Sequence, residues 1–117
     1  MPTIRDLTAA IRMRTGIEAV VVLGRDGLLI DSQSAPGLDA DDLAARVPGI
    51  VASADEIGGT TARGSMRIAL IEHEKGYAVV SSVGDDALLC VLRSRDADLG
   101  VLLYDVRRHR ESISRLF

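Results

Sequence analysis

A glycine-rich run at residues 16–32, GIEAVVVLGRDGLLIDS, constrains the fold more than any other part of the chain. Its two strand-like stretches, residues 19–23 and 28–31, are mainly apolar and are joined by a short segment that ends in Asp26 and Gly27. An Asp-Gly pair between apolar runs is typical of a tight turn, because glycine accepts a positive φ at little steric cost. The run is therefore predicted to form a β-hairpin.

Helical patterns lie on both sides of the hairpin. The first covers residues 4–15, with Thr3 as a cap, Asp6 in the first turn and a glycine at the end. The second covers residues 39–57 and is expected to stop at the two glycines that follow it. Pro48 falls inside this second helix, so the sequence predicts either one helix kinked at Pro48 or two shorter helices that meet there.

Three further strands and a last helix follow. They are predicted at residues 65–72, 77–83, 87–92 and 98–116, with short polar connections between the strands. Residues 19–23 are apolar on both sides of their strand, so helices have to cover both faces of the sheet. We therefore predict an α+β sandwich of order α-β-β-α-β-β-β-α. It has a five-stranded antiparallel sheet with one helix on one face and two on the other, in a single domain over residues 1–117.

The middle helix carries more apolar surface than one sheet face requires. At about 100° per residue, its apolar side chains cover roughly half of the circumference, which is wider than a core-facing stripe. We expect one set to pack on the sheet: Leu43, Val47, Ile50, Ala54 and Ile57. A second set of small side chains then stays free, so that another helix can approach closely: Ala40, Ala44, Pro48 and Val51.

The last helix combines an apolar stripe with a basic outer side. Its predicted buried residues are Leu99, Leu102, Leu103, Val106, Ile113 and Phe117. Its outer side carries Arg107, Arg108 and Arg115. The basic cluster at residues 107–110 is interpreted as a solvated helix face, as a docking patch for an acidic partner, or as an arginine finger. The finger is the weakest interpretation, because a rigid helix has little reach.

Composition narrows the class of protein. A net charge of −3 and a pI near 5.3 argue against binding to nucleic acid, since domains that bind it are usually basic. No stretch approaches the ~18 consecutive apolar residues of a membrane span. The single cysteine, Cys90, lies in an apolar strand and cannot form an internal disulfide, which favours a cytoplasmic location.

Residues typical of catalysis are sparse. His73 and His109 are 36 positions apart, and neither has a cysteine or histidine at the spacing of a zinc site. Gly24 and Gly27 join two strands and do not open a helix, so they lack the amide groups that cradle a phosphate. We expect no enzymatic activity, no metal, no cofactor and no small-molecule substrate.

The element order, the run GIEAVVVLGRDGLLIDS and a following helix that ends in DEIGG resemble the Roadblock/dynein light-chain family. The stretch ARVPGIVASAD at residues 45–55 is similar to bacterial members that occur as small stand-alone proteins. This resemblance implies a longin/profilin-like sandwich that dimerises through the middle helix and the third strand. Pro48 departs from the smoother helix of many members.

The same resemblance implies a function in binding other proteins. Members pair with themselves or each other, and they regulate small Ras-like GTPases or serve as adaptors. We expect a non-catalytic, homodimeric regulator of a small Ras-like GTPase; the alternative is a structural adaptor that leaves GTPase rates unchanged. The expected dimer interface comprises Ala40, Ala44, Pro48, Val51, Asp55, Met66, Ile68 and Leu70. The expected partner-binding residues are Asp41, Ala45, Ala52, Arg107 and Arg108.

Overall fold

A computed structural model describes residues 3–94 and 98–116 of the chain. The helices and strands follow in the predicted order: α1 Ile4–Arg12, β1 Ile17–Gly24, β2 Leu29–Ser34, α2 Ala40–Thr60, β3 Ile68–His73, β4 Gly76–Val83, β5 Ala87–Ser94 and α3 Leu99–Ser114. Within the described residues the strands form one antiparallel sheet in the order β2-β1-β5-β4-β3. The α+β prediction is confirmed.

β1 explains why helices lie on both faces of the sheet. Residues 20–23 are completely buried, and their side chains alternate between two apolar clusters. Val20 and Val22 belong to a cluster that includes residues of α1 and α3. Val21 and Leu23 belong to a cluster that includes residues of α2. This confirms one helix on one face and two on the other.

Several boundaries differ from the sequence prediction. α1 ends at Arg12, three residues before the predicted end at Thr15, although Thr3 and Asp6 form the expected capping box. α2 is one continuous helix through Pro48, which excludes the alternative of two shorter helices. It also continues through the two glycines and ends at Thr60. β3 begins at Ile68, three residues later than predicted.

The direction in which α2 faces corrects the main packing prediction. Ala44 is 0% exposed and Val51 is 5% exposed, and both pack with Val47 in the cluster under α2. Their expected role as a surface left free for a partner is wrong. Ile57, which was expected in the core, is 67% exposed. The small side chains of Ala44 and Val51 thus let α2 approach its own sheet, whereas Ile57 points outward.

Ala40 and Pro48, which were also expected at the dimer interface, make packing contacts within the chain. Ala40 packs against the cluster under α2. The hairpin turn approaches Pro48, since a Cβ placed on Gly27 would lie 3.5 Å from the Cγ of Pro48 and 3.6 Å from the backbone oxygen of Ala44. The half-buried Pro48 therefore supports the contact between α2 and the β1–β2 turn.

α3 follows the prediction where its residues are described. Val106 and Ile113 are buried in the cluster shared with α1, and Leu103 is half-buried. Arg107, Arg108 and Arg115 are exposed, as expected. The side chains of Leu99 and Leu102, and the whole of Phe117, lie outside the described residues.

Candidate protein-interaction surfaces

One side of α2 is apolar and is not covered by the sheet. We call it the free flank and define it by Ile50, Ala54 and Ile57, which recur at the spacing of one helix face. Ile50 and Ala54 are half-buried and Ile57 is largely exposed. Ile57 also borders a depression of about 410 Å³ at the end of the helix, with Ser53 and Thr60. The free flank is the apolar surface that remains on α2 after packing.

β3 lies at an edge of the sheet, and in the described part of the chain it is hydrogen-bonded to β4 alone. Leu70 is 41% exposed, whereas Ile68 packs partly against the cluster of α1 and α3. Met66 precedes the strand and packs against the cluster under α2. An edge with free backbone groups and an exposed leucine is able to pair with another strand.

Asp55 connects the end of α2 to the beginning of β3. Its carboxylate oxygen Oδ1 accepts a hydrogen bond from the backbone N–H of Met66 at 2.7 Å. This bond holds the segment before β3 against the helix. Asp55 was expected at a dimer interface; the structure shows that its carboxylate already has a bond within the chain.

The expected partner-binding residues are all exposed, but the structure does not bring them together. Asp41, Ala45 and Ala52 lie on the outward side of α2. Arg107 and Arg108 lie on α3, which packs on the opposite face of the sheet. One partner would therefore have to reach around the sheet to contact both groups on the same chain.

A cleft of about 970 Å³ opens between the β1–β2 turn, the segment after α2, the β4–β5 turn and the end of α3. We call it the arginine cleft, after the arginines that line it: Arg25, Arg63, Arg67, Arg110 and Arg115. Two acids, Asp85 and Glu111, line it as well. The sequence prediction missed this site because its residues come from segments far apart in the chain.

Backbone hydrogen bonds connect the walls of the arginine cleft. The N–H of Arg25 donates to the carbonyl oxygen of Asp86 at 3.2 Å, which links the two hairpin turns. The N–H of Ser82 donates to the carbonyl oxygen of Arg67 at 3.0 Å. The N–H of Arg63 donates to the carbonyl oxygen of Gly58 at 2.7 Å, which ties the segment after α2 to the helix end.

Metal-binding side chains and the cysteine thiol are the next groups to place. No group of three or more histidine, cysteine, aspartate or glutamate side chains in residues 3–94 and 98–116 is placed to hold a metal ion. Burial raises the pKa of the Cys90 thiol to about 11, which keeps it protonated and unreactive. Nor is any helix in these residues long and apolar enough to span a bilayer.

Comparison with known structures identifies the class of fold. The Roadblock/LC7 domain from Streptomyces avermitilis superposes with a TM-score of 0.86 at 26% identity, covering 93% of this chain and 92% of that one. MglB from Myxococcus xanthus superposes with a TM-score of 0.89 at 18% identity, covering 99% and 98%. Another MglB structure, in a tetrameric arrangement, has a TM-score of 0.87 at 19% identity, with 96% and 85% covered.

Sequence comparison then establishes the family. The family model of the Roadblock/LC7 domain matches residues 3–93, so the chain belongs to the Roadblock/LC7 family. The uncharacterized protein MJ1340 of Methanocaldococcus jannaschii is 28% identical over 102 residues, which are 87% of this chain and 89% of that protein.

Proposed function

We propose that this chain is a cytoplasmic, non-catalytic, homodimeric regulator of a small Ras-like GTPase. The observation that carries the proposal is the Roadblock/LC7 match over residues 3–93, since the resemblance to this family implies pairing and GTPase binding. The described residues add two surfaces suited to protein contacts, the apolar free flank and the open edge of β3.

The free flank and β3 support self-association. Ile57 and Leu70 are 67% and 41% exposed, and covering them with a second copy removes apolar surface from water at roughly 25 cal/mol per Å². Pairing of two β3 edges would satisfy backbone groups that β4 leaves open. The tetrameric arrangement of an MglB structure supports assembly of this fold into multimers.

Light scattering on a sizing column tests self-association. The chain has a mass of 12.5 kDa, and we expect the wild type to elute with twice that mass at micromolar concentration. Ile57→Glu places a charge on the free flank and should shift the protein to the monomer mass. Val101→Glu is the matched control, because Val101 is 50% exposed on α3, and it should leave the dimer intact. A monomeric wild type would overturn this part of the proposal.

The outward side of α2 is the proposed contact for the GTPase. Ala45 and Ala52 are exposed and small, and Asp41 adds a carboxylate near the helix start. Small side chains allow close approach of a partner's backbone. Regulation would arise because the bound protein favours one arrangement of the GTPase switch segments, so that its binding free energy shifts the nucleotide cycle.

Hydrolysis and exchange assays with each small Ras-like GTPase of the same genome test this contact. We expect saturating wild type to change one of the two rates. Ala52→Arg should weaken the effect, whereas Ala10→Arg, an equally small and exposed position on α1, should not. Binding with unchanged rates would replace the proposal with the adaptor function, and no binding to any such GTPase would overturn it.

A further inference from the structure

The arginine cleft concentrates positive charge on an acidic protein. Among the described residues its lining carries five arginines and two acids, an excess of three positive charges, whereas the whole chain has a net charge of −3. A cleft lined by one sign of charge raises the local concentration of counter-ions and steers them to the site. The positive charge is therefore a property of this cleft and not of the surface as a whole.

The cleft arginines form no ion pair with any acid in the part of the chain that the structure describes. Among residues 3–94 and 98–116, ion pairs within 4.0 Å engage Arg5, Arg14 and Arg46, and none of the cleft arginines. Arg63 donates from one terminal nitrogen to the carbonyl oxygen of Thr61 at 3.1 Å, and its other N–H groups remain for a ligand. Cations gathered without paired acids repel one another, and a bound anion relieves that repulsion.

The lining indicates the chemical class of the anion. Among the residues that the structure describes, Met66 is the large apolar side chain of the cleft lining, and none of the lining side chains is an aromatic ring that could stack on a base. Recognition then depends on charge and hydrogen bonds. The planar guanidinium group binds phosphate through paired N–H donors, and several arginines match several phosphate groups. The volume of about 970 Å³ lies within the roughly 300–1,000 Å³ of small-molecule sites.

We propose that the arginine cleft binds a small anion with two or more phosphate groups, such as an inorganic or organic polyphosphate. Backbone hydrogen bonds hold the main chain at Arg25, Arg63 and Arg67 before the ligand arrives, which lowers the ordering cost of binding. A ligand in the cleft would contact the segment after α2 and the end of α3 together. It would therefore hold these two parts of the molecule in one arrangement.

Isothermal titration of the full chain with inorganic tripolyphosphate at low ionic strength tests the site. We expect binding to the wild type that weakens as salt is added, because the contacts are ionic. The double variant Arg67→Gln/Arg110→Gln should bind at least about tenfold more weakly, from the loss of two charge-assisted contacts. Arg46→Gln is the matched control, since Arg46 is exposed on α2 outside the cleft and pairs with Asp42. It should bind as the wild type does.

A variant that is expected to tighten binding distinguishes a loss of ionic contacts from a loss of structure. Asp85→Asn removes a negative charge from the cleft lining and should tighten tripolyphosphate binding by about two- to fivefold. A site that was merely damaged by substitution would not improve in this way.

Three outcomes would overturn the proposal. The first is that millimolar tripolyphosphate produces no binding to the folded wild type. The second is that Arg46→Gln weakens binding as much as the double cleft variant. The third is that a hexaglutamate peptide binds the cleft as tightly as tripolyphosphate or more tightly, which would assign the cleft to an acidic protein segment. None of these results depends on GTPase binding or on the dimer.

Discussion

The backbone N–H of Met66 donates to the Oδ1 of Asp55 across 2.7 Å, and this bond ties the segment between α2 and β3 to the helix. Both residues lie beside surfaces with proposed roles. β3 supplies the open sheet edge, and Met66 lines the arginine cleft. The regular strand β3 begins two residues after Met66, at Ile68, and the carbonyl oxygen of the intervening Arg67 already accepts a hydrogen bond from the N–H of Ser82 in β4 at 3.0 Å.

Removing the carboxylate of Asp55 should destabilise the protein. Asp55→Ala leaves the partly buried Met66 N–H without its acceptor, and we expect a loss of about 1.5–3 kcal/mol in the free energy of unfolding. The measurement is urea denaturation followed by circular dichroism. Glu56→Ala is the control, because the neighbouring Glu56 is exposed, and its effect should stay within about 0.5 kcal/mol. Equal losses in both variants would contradict the role given to Asp55.

Two adjacent glycines at the end of α2 should respond oppositely to alanine. A Cβ on Gly58 would collide with the backbone oxygen of Gly64, which folds back over the helix end. Gly58→Ala must move that segment, and we expect a loss of about 1–3 kcal/mol. A Cβ on Gly59 would meet no described atom within 4 Å, so Gly59→Ala should gain up to about 1 kcal/mol from helix propensity.

Thermal unfolding of the two alanine variants measures this difference directly. The two residues are consecutive in α2 and differ in what surrounds their Cα atoms. A lower midpoint for Gly58→Ala and an unchanged or higher midpoint for Gly59→Ala is the expected result. The opposite order would mean that the segment after α2 is not held against the helix end.

Cys90 should react with thiol reagents only when the protein opens. The side chain is 1% exposed in β5, and burial raises its pKa to about 11. At pH 8 about one thiol in a thousand would be ionised, and the thiolate is the reactive form. We expect slow labelling by a disulfide reagent in buffer and rapid labelling in urea.

An added cysteine at the exposed position of Ala10 is the control and should be labelled at once in both conditions. Fast labelling of native Cys90 would show that β5 is accessible.

The hairpin and the layer order were predictable because their causes are local. The turn needs a residue that accepts a positive φ, and Gly27 has a φ of 88°. The double-sided burial of β1 could be read from its continuous apolar run. Each signal lies within a few residues, so no knowledge of distant contacts was necessary.

The side of α2 that faces the sheet and the arginine cleft were not predictable, because both depend on contacts between residues that are distant in sequence. A helix whose apolar arc covers half of its circumference can pack on a sheet in more than one rotation about its own axis. In the rotation observed for α2, Ala44 and Pro48 lie next to Gly27 in the β1–β2 turn. That contact joins residues that are distant in sequence. The cleft likewise combines Arg25 with Arg115, from opposite ends of the chain. No local pattern identifies such pairs.

His109 should make the protein less stable in mild acid. Burial lowers its pKa, the nearby Arg14 and Arg108 charges lower it further, and Asp105 opposes them. Its Nε2 atom is buried, with no hydrogen-bond partner among the described atoms. The folded protein therefore favours neutral His109, whereas the unfolded chain takes up a proton near the ordinary pKa of 6.5. Because the unfolded state binds more protons there, stability is full above pH 6.5 and falls as the pH drops below it.

Urea denaturation at pH 7.5 and at pH 5.5 checks the sign of this effect. Wild type should lose stability between the two values, and His109→Gln should lose less because its side chain does not take up a proton. His73→Gln changes the other histidine of the chain, at the end of β3, and is measured alongside so that the effect of His109 is assigned by direct comparison. The acid sensitivity should be centred on the contact between α3 and the segment after α1, where Arg14 pairs with Asp105 at 3.5 Å. Amide exchange in residues 105–113 would then slow in His109→Gln relative to wild type at pH 5.5, and an unchanged exchange rate would place the acid sensitivity elsewhere in the chain.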